Sequence, residues 1–231
     1  MGASCHVCRG TRFGFNRVLW PELIAEWQLS EAEAAYIDRQ QGIYCGSCGS
    51  NLRSIALAKA IVDSYGFQGS LLEFTASEQA RPLRVLEINE AGSLTPTLAR
   101  LPRHQLVTYP QVDMTRLPFG NGGYDLVVHS DTLEHVEFPV TALSECRRVL
   151  ADGGRCIFTV PIVVDRFTRS RTGMPASYHG APATGRTDML VCTEFGADMW
   201  KWVLQAGFDV VSIHCLEYPS GIAIEARVTG S

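Results

Sequence analysis

The sequence lacks the long apolar run that a membrane-spanning helix requires, since no stretch of about 18 apolar residues occurs in it. Its first ten residues, MGASCHVCRG, have no apolar core and do not resemble a secretory signal peptide. An excess of basic residues is also missing, because the formal net charge is -4 and the pI about 5.9. Proteins that wrap a nucleic-acid backbone usually present a basic face. The sequence therefore predicts a cytoplasmic protein without a membrane span and argues against a nucleic-acid partner.

Cysteine is well represented, with eight residues, and four of these form two C-x-x-C pairs. Cys5 pairs with Cys8, and Cys45 pairs with Cys48. In a reducing compartment such residues are thiols or metal ligands rather than disulfides, and two pairs supply the four thiolates of a tetrahedral zinc site. The sequence predicts one structural Zn²⁺ on these residues, without an open position for catalysis. Two unrelated buried pairs are the alternative interpretation.

The segment between the two cysteine pairs is predicted to be helical. Pro21 suits the first turn of a helix, and Ser30 followed by Glu33 has the spacing of a capping box that opens a second helix. A further helix is predicted at residues 51–65, ended by glycines. We therefore place a small zinc-binding helical module at residues 1–69 and a second domain at residues 70–231.

The middle of the chain alternates apolar strands with helices. RVLEI (84–88) and YDLVVHS (124–130) predict two strands, and DGGRCIFTVP (152–161) predicts a glycine turn followed by a third. Together with the VDMTRLPF loop (112–119), this order resembles the class I S-adenosylmethionine-dependent methyltransferases. The resemblance implies an α/β fold with a doubly wound, mainly parallel sheet, a reversed final strand and a cofactor site at the carboxyl ends of the parallel strands.

The resemblance also implies which residues contact S-adenosylmethionine at the first strand. The acidic residue under the family's glycine loop maps onto Glu87, and the loop itself maps onto Asn89 and Gly92. Gly92 is the single glycine left in this loop, and no Asp or Glu occurs in residues 91–112 to bind the ribose. The ribose would then be held by Tyr109 or by main chain, and the helix-strand unit that usually follows is predicted to be missing.

In the VDMTRLPF loop the family pattern is closer. The family's Asp binds the adenine amino group and the next residue packs on the ring, roles that map onto Asp113 and Met114. For Asp113 the alternative is a turn residue that caps its own backbone. Residues 129–131, at the carboxyl end of the central strand, are expected to face the ligand, with Ser130 as a cofactor contact.

Residues 162–192, which we call the acceptor segment, show no clear periodicity. Long irregular segments in compact domains are usually functional or disordered, and related methyltransferases keep acceptor-binding elements at this place. Tyr178 and His179 are predicted to contact the acceptor. A histidine can take a proton from a hydroxyl or amine, so His179 is the predicted catalytic residue; a surface loop position is its alternative.

These features predict a methyltransferase that uses S-adenosylmethionine and acts on a small-molecule or sugar-like acceptor. One alternative is an RNA methyltransferase that grips RNA through the zinc module, which the acidic pI opposes. The other is a methyltransferase-like protein that no longer binds cofactor and serves as a zinc-bearing interaction or assembly module. The reduced glycine loop and the missing ribose acid favour this second alternative.

Overall fold

The computed structural model describes residues 4–178 and 189–230 of the chain. Its N-terminal part carries two helices between two short strands: β1 (Phe13–Phe15), α1 (Pro21–Glu26), α2 (Glu31–Gly42) and β2 (Ile43–Cys45). The two strands pair antiparallel and so bring the two ends of this segment together. Ser30 caps α2 and forms a capping box with Glu33. The helices predicted between the cysteine pairs are therefore present.

The rest of the described chain alternates helices and strands. In chain order these are α3 (Leu52–Ser64), α4 (Leu71–Thr75), β3 (Val85–Ile88), α5 (Thr95–Leu98), β4 (His104–Val107), β5 (Tyr124–Ser130), α6 (Pro139–Val149), β6 (Leu150–Thr159), β7 (Ile162–Val163), β8 (Arg169–Ser170), β9 (Thr193–Gly196), α7 (Trp200–Gln205), β10 (Val210–Leu216) and β11 (Gly221–Arg227). Among the described residues, no helix combines the length and hydropathy needed to cross a bilayer.

Six strands form the central sheet, in the order β10-β11-β6-β5-β3-β4. The four strands β4, β3, β5 and β6 are parallel, and β11 runs antiparallel to both of its neighbours. The α/β class and the mainly parallel sheet predicted from the sequence are confirmed. Residues 108–123, between β4 and β5, form turns and contain neither helix nor strand. The shortening of the sheet predicted near Tyr109 is thus observed.

Helices cover both faces of this sheet. Alternate side chains of a strand point to opposite faces, so Val127 of β5 packs with α6 and α7, whereas Leu126 and Val128 pack with α3, α4 and α5. This is a doubly wound arrangement, in which ligands bind in the crevice outside the carboxyl ends of the strands.

Helix α3 connects the N-terminal part to the sheet. Asn51 caps it by accepting a hydrogen bond from Ser54 N (2.9 Å), and its apolar residues join the core cluster that contains Leu126 and Val128. We had placed α3 in the first domain, and the boundary near residue 70 stays a prediction. The packing of α3 also brings its N-terminal turn to the carboxyl edge of the sheet.

Candidate active site and metal centre

The four cysteines of the two C-x-x-C pairs come together at one point. Their sulfur atoms all lie within 4.8 Å of one another. The Sγ atoms of Cys5 and Cys48 are 3.8 Å apart, and those of Cys8 and Cys45 are 3.7 Å apart. Zinc-thiolate bonds of about 2.3 Å in a tetrahedron require sulfur-sulfur edges of about 3.8 Å. The donor set and its spacing therefore fit one zinc ion.

Backbone groups around this cluster also suit thiolates. Three amide N–H groups donate to three of the sulfur atoms at 3.4 Å: Val7 to Cys5, Gly10 to Cys8 and Ser47 to Cys45. A Cβ at Gly10 would lie 2.8 Å from Cys45 Sγ, so only glycine leaves room for this approach. Burial raises the pKa of the Cys8 thiol to about 11, and a bound dication is what reverses such an effect.

Glu87, at the end of β3, is fully buried beneath the loop that follows it. Its Oε1 accepts hydrogen bonds from Ala91 N (2.7 Å) and Thr95 Oγ1 (2.5 Å), and its Oε2 lies 2.6 Å from His104 Nε2. Both carboxylate oxygens thus have partners within the protein. Glu87 therefore supports the loop through these hydrogen bonds, and its predicted contact with the cofactor stays a prediction.

Asn89 and Gly92 give this loop its shape, because both have a positive φ, of 55° and 57°. The Asn89 side chain accepts from Tyr109 N (2.9 Å) and donates to Thr132 Oγ1 (3.3 Å), so it joins the ends of β3, β4 and β5. A Cβ at Gly92 would lie 2.7 Å from Ser54 Oγ of α3. Gly92 therefore lets the loop pass close to the first turn of α3.

Asp113 and Met114 lie in the loop between β4 and β5. Asp113 is exposed, and its Oδ1 accepts hydrogen bonds from Thr115 N (2.8 Å) and Thr115 Oγ1 (2.7 Å). Asp113 thus caps its own turn, as the alternative interpretation predicts. Both of these bonds use Oδ1, and among the described residues no hydrogen bond uses Oδ2. Met114 is buried in the apolar core, which leaves its thioether little surface for a ligand ring.

The carboxyl end of β5 differs in part from the sequence-based expectation. His129 is fully buried and stacks on Phe158 with ring centroids 4.6 Å apart. The expectation that it faces the ligand is wrong, because the alternation of the strand turns it into the core. Burial lowers the pKa of His129 to about 3, so it is neutral at pH 7. Ser130 is buried and exchanges a hydrogen bond with Thr159 Oγ1 (2.8 Å), whereas Asp131 is partly exposed.

Two neighbouring cavities lie between the N-terminal helices and the carboxyl edge of the sheet. The first has a volume of about 380 Å³ and lies over the start of α3 and the β3 loop. Its lining residues are Asn16, Val18, Gln41, Gly42, Tyr44, Gly49, Asn51, Ser54, Gly92 and Ser93. The second cavity has about 280 Å³ and shares Val18 and Gln41 with the first. Both cavities open where the fold is expected to bind its ligands.

The second cavity is covered by residues 18–41, which we call the roof. Arg166 holds the roof from the acceptor segment: it donates to both oxygens of Glu33 (2.6 and 2.8 Å) and to the main-chain oxygens of Trp27 (2.9 Å) and Gln28 (2.7 Å). Trp27 Nε1 in turn donates to Ser177 Oγ (2.9 Å). The N-terminal part thus docks on the acceptor segment of its own chain.

The predicted acceptor residues lie only partly within the described chain. Tyr178 is exposed, forms an isolated antiparallel bridge with Leu190, and follows the Ser177 that contacts the roof. His179 lies outside the described residues, so its predicted catalytic role stays a prediction. The acceptor segment therefore reaches the cavity at Ser177.

One residue of the second cavity, Arg53, was not predicted from the sequence as a functional candidate. Arg53 of α3 forms an ion pair with Asp131, at the end of β5. Arg53 lies in the helix predicted at residues 51–65, and its position there carries no functional signal. Asp131 belongs to residues 129–131, which the sequence predicts to face the ligand, and it lines the second cavity. No spacing rule joins two residues so distant in sequence.

Comparison with known proteins was informative for part of the chain. Residues 66–158, about two fifths of the chain, match a family model described as a methyltransferase domain. No curated protein matches the chain. The match to residues 66–158 supports an enzyme of the S-adenosylmethionine-dependent methyltransferase type, and it leaves the acceptor undetermined.

Solved structures with a similar fold include proteins of different activity. One is an S-adenosylmethionine-dependent methyltransferase from Methanosarcina mazei (14% identity, 65% of this chain and 94% of that chain, TM-score 0.41). Another is the trans-methyltransferase CalH in complex with SAH (15% identity, 89% and 62%, TM-score 0.46). A third is the [4+2]-cyclase SpnF (15% identity, 70% and 80%, TM-score 0.41). At these low identities and scores the likenesses do not decide the function.

Proposed function

We propose that the protein is a methyltransferase that uses S-adenosylmethionine to methylate a small molecule. The observation that carries this proposal is the match of residues 66–158 to a methyltransferase domain. The sheet order, with its reversed β11, and the loop after β3 are consistent with it.

The cofactor would lie along the carboxyl edge of the sheet. We assign its methionine end to the loop at Asn89 and Gly92, near Ser130, and its adenine to Asp113, whose Oδ2 has no hydrogen bond among the described residues. A carboxylate oxygen accepts from an exocyclic amine. Glu87 would act indirectly by holding the loop.

The chemistry places few demands on the protein. The cofactor supplies a methyl group already activated by its sulfonium, so alignment of the acceptor is the main contribution of the chain. The roof would exclude water from the reacting atoms. Tyr178 and His179 would contact the acceptor, and His179 would accept its proton. The size of the covered cavity supports a small acceptor over a macromolecular one.

We further propose that Cys5, Cys8, Cys45 and Cys48 hold one structural Zn²⁺. The sulfur spacing near that of a tetrahedral site and the three N–H donors support this assignment. The cluster closes the hairpin of β1 and β2, between which the roof lies. Its part would be to hold the roof rather than to take part in catalysis.

The alternative function, a methyltransferase-like protein that does not bind cofactor, is suggested by the reduced glycine loop after β3. The Glu87 carboxylate makes three hydrogen-bonded contacts within the protein, and Asp113 caps its own turn. These bonds account for both acidic residues without a ligand. A ligand-binding measurement is therefore the test that separates the two functions.

Ligand-induced stabilisation provides this test. S-adenosylhomocysteine should raise the unfolding midpoint of the wild-type protein. Asp113→Ala should weaken binding by about 1–3 kcal/mol, the cost of one unpaired polar partner, and so reduce this rise. The control His179→Ala should retain it. No rise in the wild type, or loss of the rise in His179→Ala alone, would contradict the proposed site.

A further inference from the structure

The second cavity has a lining suited to an apolar ring. Nine of its lining residues come from the roof and five from the sheet side, and most are apolar: Val18, Leu19, Trp20, Leu23, Trp27, Leu29, Ile37, Gln40 and Gln41 from the roof, and Arg53, Asp131, Pro161, Ile162 and Val163 opposite. The Trp27 ring is fixed by its hydrogen bond to Ser177. With about 280 Å³, the cavity is at the small end of ligand sites.

Two charged residues of opposite sign stand out in this apolar lining. Arg53 and Asp131 form an ion pair, and their side chains are 11% and 21% exposed. Among the described residues, Arg53 Nε and Asp131 Oδ1 are buried without a hydrogen-bond partner. Buried polar atoms are nearly always paired in native structures. Both side chains also line the cavity and keep a small exposed fraction, through which a ligand can contact the ion pair.

We propose that this cavity is the acceptor site and takes an uncharged, hydroxyl-bearing molecule of about one ring, whose hydroxyl is held by Arg53 and Asp131. This inference rests on the proposed methyltransferase function, and it specifies the chemical class of the acceptor. A hydroxyl both donates and accepts, so it can bond to the carboxylate and the guanidinium together. No third residue is required for this recognition.

The charge balance of the cavity decides against ionic acceptors. Among the residues that the structure describes, no other charged residue lines the cavity, although the buried Glu134 also acts electrostatically on Arg53. An anion or a cation would therefore bring one further charge into a mostly apolar space. Such burial is costly unless the charge is paired. Removing the charge of Arg53 or of Asp131 should therefore make the cavity bind an ion more tightly and the uncharged molecule more weakly.

The test uses four probes that share one ring: benzyl alcohol, benzoate, benzylammonium and toluene. Their binding to the full chain is measured by ligand-observed NMR titration. The wild type should bind benzyl alcohol about tenfold more tightly than the other three. Benzoate and benzylammonium bring an unpaired charge into the cavity, and toluene lacks the hydroxyl that the ion pair would hold. Asp131→Asn should weaken the binding of benzyl alcohol and strengthen the binding of benzoate by a similar factor. Arg53→Gln should tighten benzylammonium instead.

The variants are chosen to preserve the fold. Asp131 has a φ of 46°, a conformation that asparagine tolerates well. Asp165→Asn is the matched control, because Asp165 is exposed and does not line the cavity; it should leave all four affinities unchanged. An equal response of Asp165→Asn and Asp131→Asn would overturn the assignment.

A parallel titration with S-adenosylhomocysteine keeps this inference separate from the proposed function. Wild-type protein that binds S-adenosylhomocysteine but shows no preference for the alcohol contradicts the inference alone. Failure to bind S-adenosylhomocysteine contradicts the proposed function, whatever the probes do. A wild type that prefers benzoate, or variants without the expected switch, would also overturn the substrate class.

Discussion

Arg166 should be the main attachment of the roof, and its replacement tests the arrangement. Its guanidinium makes four hydrogen bonds to Glu33, Trp27 and Gln28. Arg166→Ala would leave the Glu33 carboxylate, only 6% exposed, without its cation. Removing one partner of a buried ion pair typically costs about 3–5 kcal/mol. We expect the free energy of unfolding, measured by urea denaturation at pH 7, to fall by about that amount.

Arg169 provides the matched control. Its side chain is 50% exposed, against 25% for Arg166, and its partner Glu194 also pairs with Arg171. Arg169→Ala should therefore cost about 1 kcal/mol or less, as exposed pairs do. A double-mutant cycle with Glu33→Gln should give a coupling energy of about 2 kcal/mol. Equal losses in the two alanine variants, or no coupling to Glu33, would refute the role of Arg166.

Two further predictions concern the zinc content of the protein and its stability at acid pH. Elemental analysis should find one zinc per chain in the wild type and in the control Cys215→Ser, and clearly less in Cys48→Ser after dialysis against a chelator; equal contents in both variants would contradict the four-thiolate site. The hydrogen bonds from Arg166 lower the pKa of Glu33 from 4.5 to about 2. The difference in unfolding free energy between the wild type and Glu33→Gln should therefore be constant above about pH 5 and shrink as the pH falls from 4.5 towards 2. A difference that grows in acid would contradict the lowered pKa of Glu33.

Local patterns in the sequence predicted local structure well. Ser30 and Glu33 form the capping box that their spacing indicates. The positive φ of Asn89 agrees with the tolerance of asparagine for the left-handed conformation. The short segment after Tyr109 left no room for another helix-strand unit. In each case the decisive interactions lie within a few residues of one another.

The contacts that build the second cavity could not be predicted in this way. Arg53 and Asp131 are polar residues on separate elements, and only the packing of α3 on the sheet brings them together. His129 was expected to face the ligand because it ends a strand, but the alternation of β5 turns its ring onto Phe158. Predicting such positions requires the relative placement of elements.

Calorimetric titration of the wild-type protein with S-adenosylhomocysteine measures directly whether the chain binds a methyltransferase cofactor. NAD serves as the comparison, because it also binds at the carboxyl ends of doubly wound sheets. We predict one S-adenosylhomocysteine site per chain with a dissociation constant of about 1–100 μM, or roughly −8 to −5.5 kcal/mol, and no heat of binding for NAD. Binding of NAD instead, or no heat with S-adenosylhomocysteine at about millimolar concentration, would contradict the assignment as a methyltransferase.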